Sequence, residues 1–301
     1  MSSSRIRPAT RTPRSSAPVA ASLVSGAHNL RFVWRTARGL FSGACYRRRV
    51  RSLLVLWDID FTLIDAGGVG TRLYRMVFRD MFGTDLPAAA NMAGRTDRAI
   101  VLDTLARAGI PEPRQHLDQF LARLAALAPT GRELAEQHSR ALPGAAAAID
   151  ALAAFAPGQN GASADGAGGP AERVSVVQSV LTGNVRPMAE MKLGALGLDG
   201  HLDLEAGAYG ESHEVRAELV HMARDNAARR YGTDFSGPAT VLVGDTPLDV
   251  AAALETGARA VAVATGGTTA AALAESGAHA VLPDLTDTPA VLAAILAPPY
   301  P

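Results

Sequence analysis

The stretch LLVLWDIDFTLID, residues 53–65, decides the fold. Leu53 to Trp57 form an unbroken apolar run, the pattern of a strand buried on both faces of a parallel sheet. The run ends in Asp58 and Asp60, carboxylates that a strand interior disfavours. Three further runs of the same kind follow: VSVVQSVL (174–181), ATVLVG (239–244) and AVAVA (260–264). Between them lie helix-like segments at 144–155, 188–198 and 214–232. Strands alternating with helices specify an α/β class: a Rossmann-like parallel sheet flanked by helices.

Between the first strand and residue 144 no convincing strand is legible. Residues 71–83 place Leu73, Met76, Val77 and Met81 at helical spacing, and 98–109 and 116–128 behave similarly. Such a stretch is too long for a loop in a compact domain. It reads as an inserted α-helical cap domain over 67–141, leaving 52–66 and 142–301 as the α/β core. Residues 157–173 read as a Gly- and Ala-rich surface loop. Residues 1–51 hold eleven arginines and no acid, so they read as a basic, disordered tail, a transit segment or a polyanion-binding arm.

The formal net charge of zero therefore divides into a basic tail and an acidic body. An acidic body repels polyanions, so no nucleic-acid partner is expected for the core. A single cysteine, Cys45, excludes an internal disulfide or a thiolate zinc site. No apolar stretch is long enough to span a bilayer, and the expected location is cytoplasmic.

In an open parallel sheet the ligand crevice lies beyond the carboxyl ends of the strands. The residues that end the runs are Asp58 and Asp60, then Thr182, Gly183 and Asn184, then Asp245 and Asp249. Clustered carboxylates need a compensating cation. An all-oxygen, sulfur-free ligand set suits Mg²⁺, which takes one or two carboxylates and completes its shell with water and substrate phosphate.

Asp58-Ile59-Asp60-Phe61-Thr62-Leu63 resembles the first motif of the haloacid dehalogenase-like hydrolase superfamily. Thr182-Gly183-Asn184 resembles its second motif, and Gly244-Asp245-Thr246-Pro247-Leu248-Asp249 its fourth. The resemblance spans residues 52–285, and the insert is similar to the cap of the phosphoglycolate phosphatase-like branch. It implies a Mg²⁺-dependent phosphomonoester hydrolase acting on a small phosphorylated metabolite through an aspartyl-phosphate. Asp58 is the implied nucleophile and Asp60 the acid–base; Thr182 and the amides near Gly183 are implied to bind the transferring oxygens, with Asn184 a further implied substrate-binding residue. Asp58, the Asp60 backbone carbonyl and Asp245 are the implied metal ligands, with Asp249 supporting them. For the basic residue of the third motif, Arg216 is favoured by position over Lys192, whose expected place is a solvated helix surface. The chain departs from the pattern at Phe61, where many relatives carry glycine.

Plainer readings stand beside these. Asp58 and Asp60 also fit a turn after a strand, and Asp65 reads as a turn or cap residue. Asp249 reads as the N-cap of the following helix, and Thr96 or Asp97 as the cap of another. Arg95 is either a surface residue or a cap arginine that binds the substrate bidentately. His213 reads as a solvated or capping residue, with lining the site near Arg216 as the alternative, and Gly266-Gly267 as a strand-to-helix turn. Competing functions are a phosphomutase of the same family and a non-catalytic binding module. The insert contains no lysine, which counts against the Schiff-base phosphonate hydrolases of the family.

Overall fold

The computed structural model describes residues 50–88, 90–158 and 173–298. The expected tail up to residue 49 and residues 159–172 of the expected loop lie outside the described residues. Strand β1 (Val50–Trp57) begins inside the span read as tail. The charge of Arg51 is accommodated there because its guanidinium donates to the Ala297 and Leu296 carbonyls.

Strands β4 (Arg173–Val180), β5 (Thr240–Gly244), β6 (Arg259–Val263) and β7 (Ala280–Leu282) complete a parallel sheet in the order β4-β1-β5-β6-β7. The four expected strands are present; β7, only three residues long and at the edge, was not legible. Leu53, Val55 and Trp57 of β1 pack into one apolar layer with α5 (Ala145–Ala153) and α10 (Thr288–Leu296). Leu54 and Leu56 enter the opposite layer with α7 (Arg216–Tyr231) and α8 (Pro247–Glu255). A strand covered on both faces has no polar position to offer, which is why β1 reads as a continuous apolar run. Because β1 pairs with β4 on one side and β5 on the other, the topological switch point falls at its carboxyl end, at Asp58.

The chain leaves the sheet there and returns through a two-stranded antiparallel ribbon, β2 (Ile64–Asp65) with β3 (Arg140–Ala141). Asp65 forms an ion pair with Arg140 at 2.6 Å and accepts the Gly67 N–H at 3.0 Å, so it clamps the ribbon as well as making a turn. Between β2 and β3 run α1 (Val69–Phe82), α2 (Asp97–Arg107), α3 (Pro113–Ala126) and α4 (Ala128–His138). The buried face of α1 is Val69, Leu73, Tyr74, Val77 and Phe78, whereas Met76, expected inside, is exposed. α4 was not legible because Pro129 and Gly131 in its first turn imitate a loop. The apolar cluster of these helices includes Phe78, Leu105, Phe120 and Leu124, and also Met188 and Met191 of α6 (Arg186–Ala195). No helix among the described residues is long and apolar enough to cross a membrane.

Candidate active site

Asp58 directly follows β1, and its backbone N–H donates to the Val243 carbonyl at 2.8 Å, which fixes it against β5. Its carboxylate is buried and lies 2.9 Å from Nη2 of Arg216. Arg216 opens α7 and spans two acids, since the same nitrogen lies 2.6 Å from Oδ1 of Asp249. Burial works against the charged guanidinium, but Asp249 and Asp58 carry its pKa above the ordinary arginine value.

Asp249 is not the helix cap. Thr246 is the N-cap of α8, and Asp249 at N3 closes a capping box: the Thr246 N–H and O–H both donate to its Oδ2, at 3.1 and 2.6 Å. That reciprocal pairing leaves Oδ1 turned toward Arg216. Asp245, one residue after β5, accepts from the Thr62 hydroxyl at 3.3 Å. It forms no ion pair with Lys or Arg among the described residues. Asp58, Asp245 and Asp249 offer oxygen atoms that all lie within 4.8 Å of one another.

Asp60 points elsewhere. Lys192 Nζ sits 2.7 Å from each of its carboxylate oxygens, and Asn184 Nδ2 donates to Oδ2 at 2.7 Å. Lys192 is 4% exposed and also donates to Asn184 Oδ1 at 2.8 Å. The expectation of a solvated helix surface is therefore wrong: the sole lysine faces inward from α6 because Asp60 and Asn184 satisfy its ammonium. Asn184 further donates to the hydroxyl of Thr182 at 2.7 Å, and Thr182 is fully buried. Gly183 is pressed against the insert; a Cβ there would lie 2.0 Å from the Arg95 carbonyl.

Four carboxylates, at Asp58, Asp60, Asp245 and Asp249, thus meet two cations, Arg216 and Lys192. The imbalance shows in the acids. Burial, reinforced by Asp249 and Asp60 against the pull of Arg216, raises Asp58 to about 7. Burial, then Asp58 and Asp249, raises Asp245 to about 8. A hard divalent cation fits this donor set: three convergent carboxylates that share the single guanidinium of Arg216.

Phe61 adopts φ 59, a left-handed conformation that explains why glycine suits this position. The residue lines the cavity and is 47% exposed. Gly266, read as a plain turn residue, is a close approach: a Cβ would lie 1.8 Å from Asp245 Oδ2. Arg95 lines the cavity, but its guanidinium is held by Asp103 at 2.8 Å and by the Asn91 and Ala99 carbonyls. His213 accepts the Val215 N–H at 3.0 Å just before α7.

Sequence reasoning missed Tyr74 and the part Asp97 plays. Thr96 caps α2, and buried Asp97 accepts from Tyr74 O–H at 2.6 Å and from Val185 N–H at 2.7 Å. Its N–H donates to the Gly183 carbonyl at 2.6 Å. Nothing in the sequence marks this pairing, because the partners lie far from it along the chain. The helices and the ends of β1, β4 and β5 together enclose a cavity of about 440 Å³, with Asp58, Asp60, Thr182 and Arg216 in its wall.

A profile of the HAD-hydrolase-like family matches residues 216–288, from Arg216 through the fourth motif to the start of α10. Among solved structures, a predicted phosphatase from Clostridium acetobutylicum aligns at 14% identity and TM-score 0.56, covering 80% of this chain and 98% of that one. A haloacid dehalogenase-like family hydrolase from Streptococcus pneumoniae aligns at 14% identity and TM-score 0.53, covering 80% and 98%. A hydrolase from Pseudomonas syringae aligns at 20% identity and TM-score 0.52, covering 80% and 97%. No curated protein matches the sequence. The parallel sheet has the fold of haloacid dehalogenase-like hydrolases, and over residues 216–288 the chain is similar to the HAD-hydrolase-like family.

Proposed function

We propose that the protein is a Mg²⁺-dependent phosphomonoester hydrolase for a small organic phosphate, working through an aspartyl-phosphate on Asp58. The observation that carries this reading is Asp58 itself. It is a buried carboxylate at the cavity wall, 2.9 Å from a guanidinium and grouped with two further carboxylates.

An oxygen of Asp58 attacks phosphorus, and the ester P–O bond breaks toward the alcohol. The departing oxygen takes a proton from Asp60, whose carboxyl is held in place by Lys192 and Asn184. Asp60 then removes a proton from water, the hydroxide attacks phosphorus, and the bond to Asp58 breaks to release phosphate. Splitting the displacement in this way is the gain of covalent catalysis, and a placed carboxyl contributes general acid–base assistance. Arg216 offsets charge on Asp58 and the phosphoryl oxygens, while Thr182 and Gly183 border the position the phosphoryl group takes. Asp58, Asp245 and Asp249 would hold Mg²⁺, which supplies positive charge to the phosphoryl oxygens when bound. We assign the four inserted helices the role of a cap that closes this cavity against water.

The test is phosphate release from a panel of small monoesters by the full chain, with Mg²⁺ or with EDTA, beside Asp58→Asn. Turnover abolished by both EDTA and the substitution supports the reading. Folded protein that releases no phosphate from any ester overturns it.

A further inference from the structure

The reacting end of the cavity is charged, and the helical end is mainly apolar. Leu73 and Tyr74 of α1, Met92, Ile100 of α2, Leu124 of α3 and Met188 of α6 supply apolar surface from the helical side. Both charged side chains on that side already have partners. Arg95 is held by Asp103 and two carbonyls, and the Asp97 carboxylate is held by Tyr74 and the Val185 amide. Of the neutral groups, the Tyr74 hydroxyl is donated to Asp97, the Asn91 Oδ1 accepts the Ala93 amide, and the Thr71 hydroxyl faces the Met92 sulfur.

A substrate carboxylate placed here would be stripped of water with no free cation to meet it, and it would face the acid of Asp97. A polyhydroxylated sugar would leave most of its hydroxyls against methyl and methylene groups. An apolar leaving group loses nothing of the kind and gains burial.

We propose that the alcohol portion of the substrate is uncharged and predominantly apolar, an aryl or alkyl group of a size that 440 Å³ admits, in place of a carboxylate or a sugar. This rests on the phosphatase reading above. The phosphate group engages the Asp58 end, and the hydrocarbon portion packs under Tyr74, Leu124 and Met188.

Two measurements on the full chain with Mg²⁺ separate the two readings. The first compares kcat/KM for phenyl and butyl phosphate with that for phosphoglycolate and glucose 6-phosphate. The expected preference for the apolar esters is at least about tenfold, the discrimination that apolar pocket contacts ordinarily deliver. The second needs no turnover: calorimetric binding of phenylphosphonate against phosphonoacetate, with the same expected direction. Met92→Lys, which places a cation on the half-exposed rim of the apolar end, is expected to narrow both ratios. Equal kcat/KM values, or a preference for the carboxylated or sugar esters, overturn the apolar assignment and leave the phosphatase reading standing. Absence of release from every ester overturns the phosphatase reading, and the phosphonate ratio then decides the apolar assignment by itself.

Discussion

Phe61 and Lys192 show what single residues contribute here. A non-glycine residue at φ 59 carries the cost of a left-handed backbone, about 1–2 kcal/mol, while its half-exposed ring gains little from burial. Phe61→Gly removes that cost and regains part of it as unfolded-chain entropy, so a net stabilisation of about 1 kcal/mol is expected in urea denaturation. An unchanged or lowered midpoint would show that the ring is held by contacts worth more than the strain. In the proposed reaction Lys192 acts through Asp60, whose carboxyl it holds, which makes it a positioning residue. Lys192→Met keeps the length and the burial but frees the acid, and kcat is expected to fall by about 100-fold, the scale of general acid–base assistance. KM should change little, because Arg216 and the Thr182 loop remain. A fall confined to KM would assign the lysine to substrate binding instead. These two residues also mark the limit of what the chain discloses. Asp58, Asp60, Thr182, Asp245 and Asp249 were legible because strand ends in a parallel sheet converge by topology alone. The inward turn of Lys192 was not legible, because periodicity places a lysine on a helix and cannot say that a carboxylate 132 positions away will meet it.

At the scale of elements, the pivotal contact is between the start of α2 and the loop after β4. Asp97 lends its N–H to Gly183 and accepts from Val185, and the Arg98 N–H donates to the Gly210 carbonyl at 3.2 Å. The insert is therefore bonded through backbone groups to the loop after β4 that lines the cavity. Burial raises Asp97 from 3.8 to about 6, against the opposing hydrogen bonds of Tyr74 and Val185. Between those values the folded protein holds a proton that the unfolded chain has released. Stability consequently falls as pH rises from about 4 to 6, by on the order of 2–3 kcal/mol from this residue. The difference in stability between wild type and Asp97→Asn, measured in urea at pH 4.5 and pH 7, should contain that fall. A difference independent of pH would place the Asp97 ionisation where the unfolded chain has it. Long elements such as α7 and β4 were readable because periodicity accumulates along them. Two-residue β2 and β3, three-residue β7 and six-residue α9 (Ala270–Glu275) are too short to carry a period. Tertiary pairing alone defines them.

At the scale of the molecule, the insert and the sheet domain share a core. Met188 and Met191 belong to α6, the helix that follows β4, yet their side chains sit in the cluster formed by α1, α2, α3 and α4. Lys192, on the same helix, holds Asp60. One helix therefore packs the insert with its methionines and holds the Asp60 carboxyl with its lysine. An insert with a private core would unfold separately, whereas one that borrows α6 from the sheet domain loses its own packing when that domain opens. Denaturation is expected to be a single transition, coincident between the fluorescence of Trp57, fully buried in the sheet core, and hydrogen exchange in α1 and α3. Met188→Ala opens a cavity in the shared cluster and should lower stability by about 2–5 kcal/mol while keeping the two probes coincident. Separate midpoints, with the substitution moving only that of α1 and α3, would mean that the insert stands as its own folding unit. In that case the order of α6, and with it the hold of Lys192 on Asp60, would come from the sheet side alone.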